Sequence, residues 1–401
     1  MNAAWRAVRR ILCMRLDNVA GVLMTTPAMR ALKESREGRH LTLLTSSVAA
    51  PLADHLPMID DVLAYDAPWL SRPDETGGPL AGLDLIADLL TARYDAAVIF
   101  TVYSQSALPA AMMCWLAGIR LRLAHCRENP FQLLTDPVAE AEPQRLVRHE
   151  VVRQMALVRA VGATTPDWRI TFDPGHAARR AMRDRLRAAR ERIGTALGPF
   201  DGLGRWLVVH PGASTSSRRW PADRFGDAAA RLSPLFDGVA VTGDGNERQL
   251  VATVCARVGV RAVPFAGILS IGELGALIEA ASLLISNNSD AVHLAAALGT
   301  PVVDLYALTN PQDTPWKVPN RVLNVDVRCR YCDRSVCDQP GHPCLRGVGV
   351  DDVVDAARML LRAGRRPAHR PSSPARGGAP AGDTTSVISN VIPIASAFTR
   401  R

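Results

Sequence analysis

The chain has 401 residues with a formal net charge of +8, is 48% hydrophobic and 21% charged, and so has the composition of a globular protein, neither fibrous nor disordered overall. At about 100 to 200 residues per domain it accommodates two domains with separate cores and a cleft between them. No run of about 18 uninterrupted apolar residues occurs, which excludes a spanning helix, and Arg15 and Asp17 cut the apolar stretch near the N-terminus before any small-residue cleavage site. The expected location is cytoplasmic.

Short β-branched runs alternate with amphipathic stretches, the pattern of parallel sheets covered by helices. In chain order the first half reads as strand 8–14, helix 22–34, strands 41–45 and 61–65, helix 80–92 and strand 96–101. A helix from Ser104, a strand at 119–124 and a helix at 146–161 follow. An Arg-rich helical stretch lies between Pro174 and Gly198, and the domain boundary is placed at its start: residues 1–173 form the first domain and 174–363 the second. The second domain reads as strand 206–210, helix 222–232, strand 239–242, helix 246–258, strand 262–265, helix 271–281, strand 283–286, helix 291–298 and strand 302–305. The fold class is α/β, two doubly wound Rossmann-like sheets facing a central cleft, with ligands expected at the carboxyl ends of the strands. From residue 364 Pro, Gly, Ser, Ala and Arg dominate without periodicity, so the tail to 401 is expected to be disordered, although 387–394 is apolar enough to dock.

Lys33 and Lys317 are the only lysines, so the positive charge reflects an Arg-biased composition more than a basic partner. Arg179, Arg180, Arg183, Arg185, Arg187, Arg190 and Arg192 read as a solvated helix face. The competing reading is an anionic surface, either membrane or lipid-linked saccharide, which would draw Arg by charge and bidentate phosphate geometry. No zinc-finger or helix-turn-helix pattern and no aromatic interleaving points to nucleic acid.

Three strand-to-helix loops of the second half carry candidate chemistry. His210-Pro-Gly212-Ala213-Ser214 runs on through Ser217 to Arg218, Arg219, Trp220 and Pro221. Its small residues let backbone amides approach a phosphate and its arginines neutralise charge, against the alternative of a plain turn with exposed Arg. Thr242-Gly243-Asp-Gly-Asn-Glu247 begins a G-x-G-x-x-G, but Arg248 takes the third Gly position. A nicotinamide-dependent oxidoreductase is therefore only a competing reading. Ser286-Asn-Asn288-Ser289-Asp290 leads to His293 in the first turn of a helix, where unpaired amides and the positive dipole end suit a phosphate or sugar. In the first half, Arg15-Leu-Asp17-Asn18-Val-Ala-Gly21 faces the cleft by the same switch-point argument. Asp17 is its only carboxylate. Cys329, Cys332, Cys337 and Cys344 form C-x2-C-x4-C-x6-C around His342, a spacing compatible with zinc, with disulfides or with reduced thiols.

These residues resemble glycosyltransferase family 9, the bacterial heptosyltransferases of lipopolysaccharide core synthesis. The resemblance rests on Arg15-Leu-Asp-Asn with Thr25-Thr26-Pro27-Ala, on His210-Pro-Gly-Ala with Arg219-Trp-Pro221, on Ser286-Asn-Asn-Ser with Val292-His-Leu-Ala-Ala-Ala-Leu-Gly-Thr-Pro301, and on the Cys-rich loop. It implies a GT-B fold and inverting transfer of a sugar, heptose in the best-known members, from a nucleotide-sugar such as ADP-heptose to a lipopolysaccharide-core or lipid-linked acceptor. It further implies peripheral contact with the inner membrane and no metal or other cofactor, the leaving diphosphate being stabilised by helix dipoles and basic side chains. The implied donor site comprises His210, Gly212, Ala213, Ser214, Arg218, Arg219, Thr242, Gly243, Glu247, Leu269, Asn288, Ser289, Asp290 and His293, and Asn18 and Gly21 lie on the acceptor side.

Two departures stand out. Where the family has Gly-Asp before the first helix, with that Asp as the base, this chain has Ala20-Gly21. General-base assistance is worth about 10²- to 10⁴-fold, so either Asp17 substitutes as the catalytic carboxylate, or another carboxylate closes in from the second domain, or the protein binds without efficient turnover. At the second loop Asn288 stands where many members carry Asp, and Asp290 where Gly is usual.

Overall fold

The computed structural model describes residues 3–70, 78–194, 204–363 and 391–392. After helix α1 (Ala3–Ala7) the first layer comprises β1 (Arg10–Arg15), α2 (Val19–Glu34), β2 (His40–Thr45), β3 (Asp61–Ala64), α3 (Gly78–Ala92), β4 (Ala96–Ile99), α4 (Leu108–Leu116), β5 (Leu121–Cys126) and β6 (Asp136–Ala139). The two-residue strand β7 (Val147–Arg148), α5 (Glu150–Ala160) and the long α6 (Gly175–Ile193) lead to the second layer. That layer comprises β8 (Trp206–His210), α7 (Ala222–Leu232), β9 (Gly238–Gly243), α8 (Arg248–Val258), β10 (Ala262–Ala266), α9 (Ile271–Ala280), β11 (Ala281–Asn287), α10 (Asp290–Leu298), β12 (Val302–Leu305) and β13 (Asn320–Leu323). Short α11 (Pro343–Arg346) and α12 (Val350–Ala363) follow, and β14 (Val391–Ile392) pairs antiparallel with β7. The remainder of the tail lies outside the described residues.

Each layer is a six-stranded parallel sheet, in the orders β3-β2-β1-β4-β5-β6 and β10-β9-β8-β11-β12-β13. Both orders reverse direction at their centre, between β1 and β4 and between β8 and β11. The loops leaving those strands therefore splay apart into a crevice, the topological switch point of a doubly wound sheet. The side-chain period of two divides each strand between two cores. Leu12 and Met14 of β1 enter one cluster while Ile11 and Cys13 enter another. Leu207 and Val209 likewise face a cluster private to the second sheet, and Trp206 and Val208 share the cluster of Ile11 and Cys13. That shared core reaches across both layers because α10 packs on α2 and α6 on α9. Gln312 and Thr314 add polar ties to the start of α5, with the Glu150 N–H donating to Gln312 O at 3.1 Å and His149 against Thr314 O at 2.8 Å.

Helix α2 shows how local sequence fixes the crevice. Asn18 caps it by accepting the Gly21 N–H at 2.8 Å. Pro27 removes the amide that would bond Leu23 O, and the Thr26 hydroxyl donates to that oxygen at 2.7 Å instead. Thus Thr-Thr-Pro continues the helix. The Arg face of α6 is only partly solvated, because Arg179 pairs with Asp173 and Glu279, and Arg185 with Glu273, whereas Arg180, Arg183, Arg187 and Arg192 are exposed. Among the described residues no helix is long and apolar enough to cross a membrane.

Candidate active site

Both switch points open onto one cavity of about 180 Å³ between the layers. From the β1–α2 loop and the start of α2 it is lined by Asp17, Asn18 and Gly21, and from the second layer by Ser214, Arg218, Asn288, Ser289, Asp290 and His293. Those nine residues include every expected position on the first-domain loop. The others expected at the donor site, His210, Gly212, Ala213, Arg219, Thr242, Gly243, Glu247 and Leu269, do not line it. Arg15, Ala20, Met24, Val102 and Asp313 do, and for Met24, Val102 and Asp313 no loop motif in the sequence marks a site role.

Several of the non-lining residues build the wall behind it. His210 at the end of β8 meets Thr242 Oγ1 at 2.9 Å, and burial lowers its pKa to about 4, so it is neutral near pH 7. Gly212 is required because a Cβ there would overlap the Glu247 carboxylate, which itself completes a capping box with Asp244. Arg219 donates twice to Ala213 O, at 2.9 and 2.6 Å, and lies 3.7 Å from Glu247. It therefore braces the 211–220 loop, and of the two adjacent arginines only Arg218 lines the cavity. Asn287, at the last position of β11, clamps the same loop by donating to Pro211 O at 2.7 Å and accepting the Trp220 N–H at 2.9 Å. Ser217 ties this loop to the Cys-rich segment through Arg334 O at 2.6 Å.

Arg15 is the buried centre of the first-domain side. Its Nε and Nη2 donate to the two oxygens of Asp17 at 2.6 and 2.8 Å, and its Nη1 donates to Glu150 Oε1 at 2.6 Å. Burial would raise the pKa of Glu150, but Arg15 and Arg153 outweigh it and hold the carboxyl below its usual range. Both oxygens of Asp17 are thus committed to one guanidinium. Across the cavity Asp290, the first residue of α10, accepts the Ala20 N–H through Oδ1 at 3.0 Å. Burial raises its pKa to about 6, with the Ala20 amide and Arg218 opposing. Asp313 is raised to about 7, again by burial first. His293 is buried with Nδ1 unpartnered, and burial together with His149 and Arg218 lowers its pKa to about 3.

The four cysteines 329, 332, 337 and 344 carry no disulfide and line a separate cavity of about 850 Å³ that also reaches Tyr103 and Ser217. Among the described residues no three His, Cys, Asp or Glu side chains converge to hold a metal ion.

The two switch points thus face one cleft lined by both basic and acidic side chains. Comparison with known proteins shows what this arrangement is similar to. The chain is 26% identical over 163 residues to lipooligosaccharide heptosyltransferase 2 of Campylobacter jejuni, a match covering 39% of this chain and 51% of that protein, so that the chain spans about half the length of this curated relative. The fold is that of a family 9 glycosyltransferase from Veillonella parvula, with TM-score 0.73, 19% identity, and 90% of this chain and 99% of the other covered. Escherichia coli ADP-heptose lipopolysaccharide heptosyltransferase II superposes with TM-score 0.67 at 19% identity, covering 88% of this chain and 99% of the other. These are GT-B architectures, as the two facing sheets are here. Residues 83–341 match the model of glycosyltransferase family 9, the heptosyltransferases, and the chain belongs to that family.

Proposed function

We propose that this protein transfers a heptose or related sugar, with inversion, from a nucleotide-sugar, ADP-heptose foremost, to a hydroxyl of a lipopolysaccharide-core or similar lipid-linked acceptor. The observation that carries the reading is the shared cavity, in which Arg218 and the N-terminus of α10 meet the β1–α2 loop. A guanidinium beside a helix N-terminus suits the diphosphate of a donor and the charge that develops on it as the glycosidic bond breaks. The similar E. coli protein is named for ADP-heptose, which sets the order of donors to try. The acceptor binds on the first-domain side, at Asn18 and Gly21. The exposed Arg180, Arg183, Arg187 and Arg192 of α6 offer anionic lipid a peripheral contact in the cytoplasm.

Gly21 favours a second reading, a family member that binds donor or glycan without efficient turnover, since glycine has no group to take a proton. Calorimetric titration with ADP-heptose, then with UDP- and GDP-sugars, followed by a nucleoside-diphosphate release assay with a crude lipopolysaccharide-core acceptor, separates the two. Acceptor-dependent release supports the transferase. Binding without release supports the second reading.

A further inference from the structure

We propose that Asp290 is the general base of the transfer, supplied by the donor-side domain in place of the carboxylate that position 21 lacks. The inference rests on the transferase reading above. Three observations of geometry support it. First, Asp290 Oδ1 lies 3.0 Å from the Ala20 nitrogen, one residue from the position that would otherwise carry the acid, and both line the same cavity. Second, a side chain at position 21 would have to displace the Arg15–Asp17 pair, because a Cβ there would come within 2.6 Å of Asp17 Oδ1 and within 2.7 and 2.8 Å of the Arg15 guanidinium. Third, Asp17 is held on both oxygens by Arg15, whereas no hydrogen bond from a described residue engages Asp290 Oδ2. Protonating Asp17 would break a part-buried ion pair. Protonating Asp290 breaks none.

The surroundings of Asp290 set its basicity. Arg15 from the end of β1 and Asp17 from the β1–α2 loop face it, with Arg218 from the 211–220 loop, Asp313 from the segment after β12, and His293 from its own helix. Burial raises its pKa to about 6, close to the working pH where a base is most effective. Asp313 is the other raised carboxyl of the cavity, but its Oδ2 accepts from Asn310 Nδ2 at 3.0 Å and, among the described residues, no hydrogen bond ties it to α2. In the step itself the acceptor O–H proton passes to Asp290 Oδ2 and the acceptor oxygen forms a bond to the anomeric carbon. The bond from that carbon to the phosphate oxygen breaks, its electron pair leaving with the nucleoside diphosphate beside Arg218. The proton on Asp290 is then lost to solvent.

Asp290→Asn tests this directly, because the amide oxygen still accepts the Ala20 N–H while the side chain no longer takes a proton. With ADP-heptose and lipopolysaccharide-core acceptor, kcat is expected to fall about 10²- to 10⁴-fold, donor Kd to stay within about threefold, and thermal stability to hold. In the wild type kcat falls as the pH drops through about 6, since Asp290 is then protonated. That acid limb disappears from the residual activity of the variant. The proposal is overturned if Asp290→Asn keeps kcat within about threefold, if Asp17→Asn or Asp313→Asn abolishes transfer while Asp290→Asn does not, or if Asp290→Asn loses donor binding in step with transfer. A wild type that releases no nucleoside diphosphate from any ADP-, UDP- or GDP-sugar overturns the transferase reading first, and this one with it.

Discussion

Glu150→Gln is the sharpest test of how the first-domain loop is held. Glu150 is wholly buried between two guanidinium groups, with Arg15 Nη1 at 2.6 Å and Arg153 Nη1 at 3.6 Å. Removing one partner from a buried ion pair costs about 3–5 kcal/mol, because the remaining charge keeps its desolvation penalty. Here the lower end applies. Arg15 still has Asp17, Arg153 still has Glu140, and a glutamine oxygen can still accept from Arg15. At a urea m-value of about 3 kcal/mol per M, a loss of about 3 kcal/mol moves the unfolding midpoint down by about 1 M at pH 7. The sign with pH follows from the depressed carboxyl. A folded-state pKa below the unfolded value of about 4.3 gives stability that is present above that value and is lost as the pH falls through the folded value. Urea titrations of wild type and variant should therefore differ by about 1 M at pH 7 and converge only as the pH falls through the depressed folded-state value. A midpoint unchanged at pH 7, or a gap that persists in acid, refutes the assignment of a charged Glu150 to the loop's support.

Three further outcomes are expected. His125, His149 and His293 are buried, and burial lowers their pKa values to about 4, 4 and 3, below the unfolded value of about 6.5. The unfolded chain takes up protons first, so stability is complete above about pH 6.5 and falls on the order of 3 kcal/mol per histidine on the way to pH 4; a Tm that does not move between pH 7.5 and 4.5 contradicts this. Arg218→Gln removes charge-assisted hydrogen bonds worth about 1.5–3 kcal/mol, so donor Kd measured by calorimetry should rise by about 10- to 100-fold, and a change below about threefold would remove Arg218 from the phosphate site. Asn287→Ala releases the 211–220 loop from β11 at about 1–2 kcal/mol, which should appear as a donor affinity weaker by about 5- to 30-fold with kcat little changed; equal affinity would mean the loop holds its shape without the clamp.

The elements that were readable from the sequence are those whose local pattern and long-range role coincide. Central strands such as β8 are continuous apolar runs because both of their faces are buried, and β8 runs from Trp206 to His210 as its pattern predicts. Edge strands are different. β6 contains Asp136 and Pro137 and β13 is half exposed, so neither offers an apolar run, and Pro is tolerated in β6 because it sits at a sheet edge. The helix predicted over 146–161 begins only at Glu150, since 147–148 are extended and pair with β14. Helix α12 was legible in principle, with Val353, Val354, Ala357 and Leu360 on one face. The site shows the same division. Loops after strands marked Asp17, Arg218, Asn288, Asp290 and His293 as cleft residues, because strand order places them there. Glu150 carries no local signal: its partner Arg15 is 135 residues away, and a single acid at a helix start bears no sign of that pairing.

Moving the base from the acceptor-side loop to α10 would change what domain closure accomplishes. The cavity of about 180 Å³ is smaller than the roughly 300–1,000 Å³ of pockets that enclose a drug-sized ligand, and a nucleotide-sugar with its acceptor needs more. The proposed function therefore requires the layers to part for loading, and the Ala20 N–H to Asp290 bond joins the two of them. A base carried at position 21 would travel with the acceptor and meet the donor only on closure. Asp290 instead stays with the donor loops throughout, so closure brings it only the hydroxyl. A base already next to the anomeric carbon is also available to water, and transfer prevails over hydrolysis only if closure on the acceptor expels that water. Donor hydrolysis without acceptor should accordingly be measurable in the wild type and should fall with transfer in Asp290→Asn, whereas a base that arrived with the acceptor side would leave that background unchanged.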